Sequence, residues 1–543
     1  MKNYLIKISV SALLVLFLLP SCKKLDLVPT DRFTDVTYWT TAAKADAVLN
    51  TAYSQMFNNN RFFLNEALSD NAYNGRGDNE GVASIAAGTY DASLGRVKNE
   101  WNDHYSGIKT CNILLENIDK VPNMDATLKE RMKAEARFLR AFQYFQLMTW
   151  FGDVPLFEKD ITLQESLNIS RTPKAQVLDF ILKELDGSLP ALPKNTEYVA
   201  ADKGRITKGA VLALKARVLL YEGRWQEVAS TCEAIMSGSN GSYNLFPSYE
   251  GLFLPQNENN SEVMLDMQYV PTNRTYNNLF DYVPISVGAR LNNFAPTQEL
   301  VDSYLMTNGK SINDAGSGYD ENNPYVNRDP RLTYTVVYDN FEWKKPDGTI
   351  KTIYIKPGSD PDQSTKMDEY AAGGVSSATG YYLRKYYDPT SITNFVSGLN
   401  LILIRYADVL LMYAEARNEL GTMDGTVWDQ TIKALRSRAG FAETTALNFD
   451  VSLGQTGLRT VIRNERRTEL AMEGLRIFDI RRWKIADQVL NGWAHGAKFG
   501  PPSIDKGYIR ANQRVFDANK HYLWPIPRDE RSLNPSLSQN PGW

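Results

Sequence analysis

Between Arg96 and Ile118 the apolar residues Trp101, Tyr105, Ile108, Cys111 and Leu115 recur three or four positions apart. That spacing gathers them on one face of a 3.6-residue helix but scatters them over both faces of a strand, so it predicts a helix with one buried stripe. The same period runs from Thr127 to Phe151 and stops where Gly152-Asp153 and Pro155 interrupt it. Helical patterns also cover Ala42 to Phe57, a stretch from Pro173 through Leu185, Thr207 to Tyr221 and Trp225 to Met236. Stripes on many helices are buried most simply against one another, so a mainly α scaffold is expected.

The pair 207–221 and 225–236 turns at Gly223. Ala213, Ala216 and Leu220 precede that glycine, and Trp225 and Ala229 follow it. Small residues let two helices approach, and glycine permits the tight turn. The unit resembles a tetratricopeptide hairpin, and Tyr413-Ala414-Glu415-Ala416 followed by Leu420-Gly421 looks like another. Generic helix packing would also favour such small residues.

The stretch from about 240 to 400 has a different texture, rich in Gly, Pro, Asn, Asp, Ser and Tyr. Short β-type runs, Val263 to Met267, Leu332 to Tyr338 and Thr352 to Ile355, alternate with turns. The expected organisation is a signal peptide at 1–21, a lipid-anchored tether at 22–40 and a first helical block at 41–240. An irregular, loop-rich lobe with short β-strands follows at 241–400. A second helical block at 401–490 and a loop-rich segment at 491–543, packed on the scaffold, complete it.

The signal peptide rests on Lys2 and Lys7 followed by an apolar run, Ile8 to Leu19, that is too short to span a bilayer. The run ends in Leu19-Pro20-Ser21-Cys22, which resembles a bacterial lipobox despite Pro20. Cleavage there leaves Cys22 as an acylated N-terminus, and several acyl chains on one residue anchor stably. No other stretch is apolar enough to span the membrane as a helix. Cys111 and Cys232 sit in helical patterns with apolar neighbours and read as buried thiols, with one disulfide at most. With 60 Lys+Arg against 63 Asp+Glu the chain lacks the basic excess of a nucleic-acid binder.

The second helical block carries Ile462-Arg463-Asn464-Glu465-Arg466-Arg467-Thr468-Glu469-Leu470-Ala471-Met472-Glu473-Gly474-Leu475-Arg476, then Phe478-Asp479-Ile480-Arg481-Arg482-Trp483. Arg466/Glu469 and Glu473/Arg476 stand three residues apart, as ion pairs on one helix would. Glu465 and Glu469 could form a catalytic carboxylate pair, but arginines this dense point to a structural ion network.

This segment resembles the hallmark of the SusD/RagB family of outer-membrane nutrient-binding lipoproteins. Other segments extend the resemblance over nearly the whole chain. They are Cys22-Lys23-Lys24-Leu25-Asp26; Trp101, Tyr105, Ile108 and Asn112; and Arg328-Asp329-Pro330-Arg331-Leu332. Ile404-Arg405-Tyr406-Ala407-Asp408-Val409-Leu410-Leu411 with Glu415-Ala416, and Ile432 to Gly440, continue it. Leu523-Trp524-Pro525-Ile526-Pro527 and Gln539-Asn540-Pro541-Gly542-Trp543 close it. The resemblance implies a tetratricopeptide-like scaffold bearing an irregular ligand lobe. It also implies a place on the cell surface as the lid of a SusC-like TonB-dependent transporter, with glycans as the usual cargo and peptides in some relatives. The matching motifs belong to the scaffold and assign no ligand contact.

Chemistry-bearing patterns are sparse. His104, His495 and His521 form no zinc pattern, and Gly374-Val375-Ser376-Ser377-Ala378 misses a nucleophile elbow. Gly75-Arg76-Gly77 has Glu80 where a dinucleotide loop needs glycine. Asp360, Asp362 and Ser364 could begin a calcium loop, but Ala371 stands where its bidentate acid belongs. No catalytic residue, metal or cofactor is expected.

A glycan binder needs aromatic faces for sugar C–H surfaces beside amide, carboxylate or guanidinium groups for hydroxyls. Asn71, Tyr73, Asn74, Arg76 and Asp78 cluster in one Gly-rich loop; Tyr276, Tyr282, Arg290 and Asn293 lie in the irregular insert, and Trp343 in the turn-rich 341–347. These are the expected ligand contacts, although local packing could account for any one of them. Two other functions fit the same residues: a protein- or peptide-binding helical scaffold on the outer membrane, and a glycoside hydrolase using two loop carboxylates.

Overall fold

The structure, a computed structural model, describes residues 38–75, 79–391 and 393–543. The expected signal peptide, Cys22, most of the tether, Arg76 and Asp78 lie outside the described residues.

Most helices form where the periodicity places them, and Asn59–Ala67 adds one that it does not mark. In the first part of the chain these are α1 (Ala42–Ser54), α2 (Asn59–Ala67), α3 (Gly95–Asn117), α4 (Ala126–Phe151), α5 (Lys174–Ser188), α6 (Lys208–Tyr221) and α7 (Trp225–Met236). Side-chain caps start several of them: Thr41 accepts from the Lys44 N–H, Asp125 from Leu128 and Thr207 from Ala210. α3 packs on α4, α4 on α5 and α6 on α7. A Cβ on Gly107 would lie 2.4 Å from the Gln143 amide, so the α3–α4 contact requires glycine there. The α6–α7 turn puts Gly223 at φ +68, in the left-handed region that favours glycine. Cys111 and Cys232 are buried and unpaired, and burial pushes the Cys111 thiol up to about 12.

Strands come as two-stranded antiparallel ribbons. β1 (Ala72–Asn74) pairs with β3 (Phe294–Pro296), placing Tyr73 opposite Ala295. β2 (Val263–Met267) pairs with β6 (Leu401–Arg405), which runs directly into α9 (Tyr406–Glu419), so the irregular lobe is laced to the scaffold. α9 packs on α7 and on α11 (Gly454–Glu469), and α8 (Gln298–Ser303) and α10 (Ile432–Ala439) flank α11. β4 (Phe341–Lys344) pairs with β5 (Ile350–Ile353), and β7 (Gly492–His495) with β8 (Arg510–Arg514).

One expected strand is replaced. Residues 331–335 form a short helix, and only Val336–Val337 extend. Asp329 explains the change: its carboxylate accepts from the Arg331 N–H at 3.0 Å, and its carbonyl accepts from Leu332.

The arginine-rich motif is a buried ion network, but its pairs are not those read from helical spacing. α11 ends at Glu469, and Met472 and Gly474 both take positive φ, so Glu473 and Arg476 lie outside it. Glu469 meets Arg331 at 2.8 Å and Arg405 at 2.6 Å, and also binds Arg438. Arg466 binds Asp479 at 2.8 Å and also Asp408; Glu473 binds Arg405 and Lys385. Burial alone would raise the Glu469 carboxyl, but the guanidiniums of Arg438, Arg405 and Arg331 outweigh it and hold it far below the usual range.

Candidate functional site

The same motif also holds the segment that leads into β1. Asp70 receives Arg476 at 2.8 and 3.0 Å and Arg467 at 3.0 Å. Arg467 also donates to the Asn71 side chain at 2.8 Å. From β8, Arg514 donates to the Ala72 carbonyl at 2.6 Å and to the Ser69 carbonyl. Asn71 is therefore a buried anchor and not a ligand contact.

Beneath it lies Glu66, fully buried, accepting from the Gly474 N–H at 3.1 Å and from the Asn71 amide at 3.2 Å. Burial pushes its carboxyl up to about 7, from 4.5. Between those values the folded state holds a proton that the unfolded chain has released, so stability contributed by this group falls as pH rises. We expect Glu66→Gln to gain about 3 kcal/mol over wild type between pH 5 and pH 8. Urea denaturation at both values measures this; parallel curves for the two proteins would refute it.

Tyr73 is half-buried on β1 and keeps part of its ring accessible. Asn74 is 2% exposed, and neither of its amide atoms has a partner among the described residues. Gly75 donates to the Asn293 carbonyl at 2.6 Å, and a Cβ there would lie 2.5 Å from that of Ala378. Asn293 is buried, its side-chain oxygen unpartnered. Arg290 is exposed and forked onto Asp281 at 2.9 and 2.6 Å, above the Phe280 ring.

The other expected aromatics are core. Tyr282 packs on Phe63 and Phe294, with centroids at 5.6 and 4.7 Å; Tyr276 packs on Phe63 and Tyr269. Trp343 sits on β4 against Tyr387 at 4.6 Å and is 2% exposed. Turn-rich sequence reports an irregular backbone path; here the path folds back over Phe63 of α2 and buries Tyr276 and Tyr282, while Trp343 is buried against Tyr387 and Phe341.

What the sequence reading missed is a chain of side-chain amides. Asn59 Nδ2 donates to Asn278 Oδ1 at 2.6 Å, Asn278 Nδ2 to Asn60 Oδ1 at 2.9 Å, and Asn60 Nδ2 to Glu80 Oε1 at 2.8 Å. Asn278 also donates to the Tyr282 hydroxyl at 3.2 Å, so that buried ring shows its polar end here. Asn60 is exposed, and Asn59, Asn278 and Glu80 are half-buried. Glu80 adopts φ +53, uncommon for a residue with a side chain. The run Asn58-Asn59-Asn60 and the pair Asn277-Asn278 were the available signal.

Such an array offers donors and acceptors on partly wet atoms, suited to hydroxyl groups. Its acids are engaged, Asp281 by Arg290 and Glu80 by Asn60. The histidines are occupied elsewhere: His104 with Gln143 and Glu100, His495 with Glu299 and Asp505, His521 with the Asp517 N–H. Asp360 and Asp362 cap backbone N–H groups of their own loop, and no group of three metal-ligating side chains occurs among the described residues.

Comparison with known proteins covers the whole chain. Residues 256–543 match the SusD family, and residues 25–220 match a family described as starch-binding, associating with outer membrane. SusD-like protein P2 of Formosa agariphila is 26% identical over the full length of both chains, and a SusD-like protein of Bacteroides ovatus is 24% identical over 90% of this chain and 84% of its own. A SusD-like carbohydrate binding protein from Bacteroides fragilis superposes with a TM-score of 0.83 at 29% identity, covering 92% of this chain and all of its own. A laminarin binding SusD-like protein shares the fold, with a TM-score of 0.68 at 24% identity over 93% of this chain and all of its own.

Proposed function

This chain belongs to the SusD family, and on that premise we propose that it is a cell-surface lipoprotein, anchored through Cys22, that binds an oligosaccharide or polysaccharide. It passes this cargo to a SusC-like TonB-dependent transporter, for which it is the lid, and it carries out no chemistry on it. The amide chain Asn59–Asn278–Asn60–Glu80, close in sequence to Tyr73 and Arg290, is the observation that carries the reading. The carbohydrate-binding relative and the starch-binding description of residues 25–220 support the ligand class. Arg76 and Asp78, which lie between Tyr73 and Glu80 in sequence, remain proposed contacts.

Native gels containing amylopectin, laminarin or an acidic polysaccharide test it. The wild-type protein should be retarded by at least one polymer, and Asn278→Ala should weaken that binding roughly ten-fold, as expected for a hydrogen-bonding site that leaves its partners unmet. No retardation by any polymer, together with no released reducing ends, would favour the protein-binding reading. That alternative has its own observation: an open groove of about 600 Å³ lined by Trp101, Tyr105, Phe157, Leu163, Leu533 and Leu537, none of which belongs to the amide face.

A further inference from the structure

The described residues include all ten tryptophans, and Trp493 alone is more than a third exposed, at 38%. Leaving so large an apolar ring in water forgoes stabilisation that burial would give. The ring does not sit on a loose loop. Trp493 is on β7, directly opposite Gln513 of β8, which is also exposed. The neighbouring His495 takes the Glu299 carboxylate of α8 at 2.8 Å through Nδ1 and shares a bond with Asp505 at 3.2 Å through Nε2. At the other end Arg514 is tied to the carbonyls before and within β1, and Val515 donates to Ala86. Arg510, forked onto Asp505 at 2.6 and 3.0 Å, lies over the indole, 5.0 Å from its centroid.

An exposed indole fixed in place, with a guanidinium over one face and an amide across the ladder, offers its remaining exposed surface to a pyranose ring: C–H groups against the aromatic, hydroxyls to the amide and guanidinium. We propose that Trp493, with Gln513 and Arg510, is a second sugar platform, separate from the amide chain at Asn59 and Asn278. β1 packs on α2, which carries Asn59 and Asn60, and accepts Arg514 from β8, so one polymer reaching both regions would gain affinity by making the second contact intramolecular. The inference rests on the carbohydrate reading above and adds to it that the ligand is a chain longer than one contact region holds.

The test compares wild type, Trp493→Ala and Trp493→Phe on amylopectin and laminarin and on the matching trisaccharides, maltotriose and laminaritriose, with iodide quenching of tryptophan fluorescence in parallel. For whichever polymer the wild type binds, Trp493→Ala should weaken binding roughly five- to thirty-fold and Trp493→Phe should restore most of it, with the trisaccharide little affected. Bound polymer should also shield wild-type fluorescence from iodide, and that protection should vanish in Trp493→Phe. Unchanged polymer binding by Trp493→Ala overturns the platform while leaving the carbohydrate reading intact. Equal loss with the trisaccharide overturns the two-contact arrangement. A wild type that binds no glycan overturns both readings. Should Trp493→Ala fail to fold, the wild-type quenching decides: polymer that binds without shielding overturns the platform.

Discussion

Replacing Glu469 by alanine should destabilise the protein by about 3–5 kcal/mol, the cost of leaving buried charge uncompensated. Three guanidiniums, those of Arg331, Arg405 and Arg438, converge on this carboxylate; the first two are fully buried and the third largely so. Arg331 keeps Asp329 and Glu465, and Arg405 keeps Glu473 and Glu262, so the network is damaged and not abolished. Denaturant unfolding should show a lower midpoint with an unchanged slope. Because the Glu469 carboxyl is held below its ordinary value, its contribution is fully present above about pH 4.5 and is lost as pH falls through the folded value. The variant and wild type should therefore converge in stability under acid. A variant as stable as wild type at pH 7 would mean that the remaining acids, Asp329, Glu465, Glu262 and Glu473, compensate the arginines alone.

Asp70→Ala should cost a similar 3–5 kcal/mol, but its second consequence is specific. Asp70 ties Arg467 and Arg476 to the segment that enters β1, and burial, which would raise its carboxyl, is outweighed by those arginines and by Arg514. Releasing it frees the strand that presents Tyr73 and leads to Glu80. Glycan binding should fall by at least about ten-fold at temperatures where the variant is still folded, since binding must then include the cost of ordering the loop. Hydrogen exchange should localise the change to residues 69–75. Loss of stability with full binding retained would separate the anchor from the ligand face.

These two residues illustrate what a sequence can and cannot disclose. The helices were legible because α3 and α4 repeat their stripe over many turns and Gly152 marks the stop of α4. The ion network was legible as a network, since such a dense run of arginines and acids has no other economical use. Its partners were not: Glu469 meets Arg331 and Arg405, far upstream in the chain, and no local spacing encodes that. On the proposed ligand face Tyr73 and Arg290 were read as accessible; Arg290 is exposed and Tyr73 half-buried. Tyr276, Tyr282 and Trp343 were read as exposed because turns surround them, whereas exposure depends on what lies underneath. Asn59, Asn60 and Asn278 went unread because no local spacing joins residues more than two hundred positions apart, and the helix that carries the first two, capped by Asn58 accepting from Arg61, shows no marked periodicity.

The contact between α4 and the segment near residue 540 has a kinetic meaning. Trp150 stacks on Trp524 with centroids 4.0 Å apart, and the Phe151 carbonyl waits for the side chain of Asn540. Nearly four hundred residues separate those partners, so loop-closure entropy must be met before either contact rewards it. α4 leaves the ribosome early, and although Trp101 of α3 packs on Phe151, Trp150 gains its ring partners Phe478 and Trp524 only when those later segments arrive. For the export proposed above, this order leaves the packing around Trp150 incomplete until residues 478–524 have emerged.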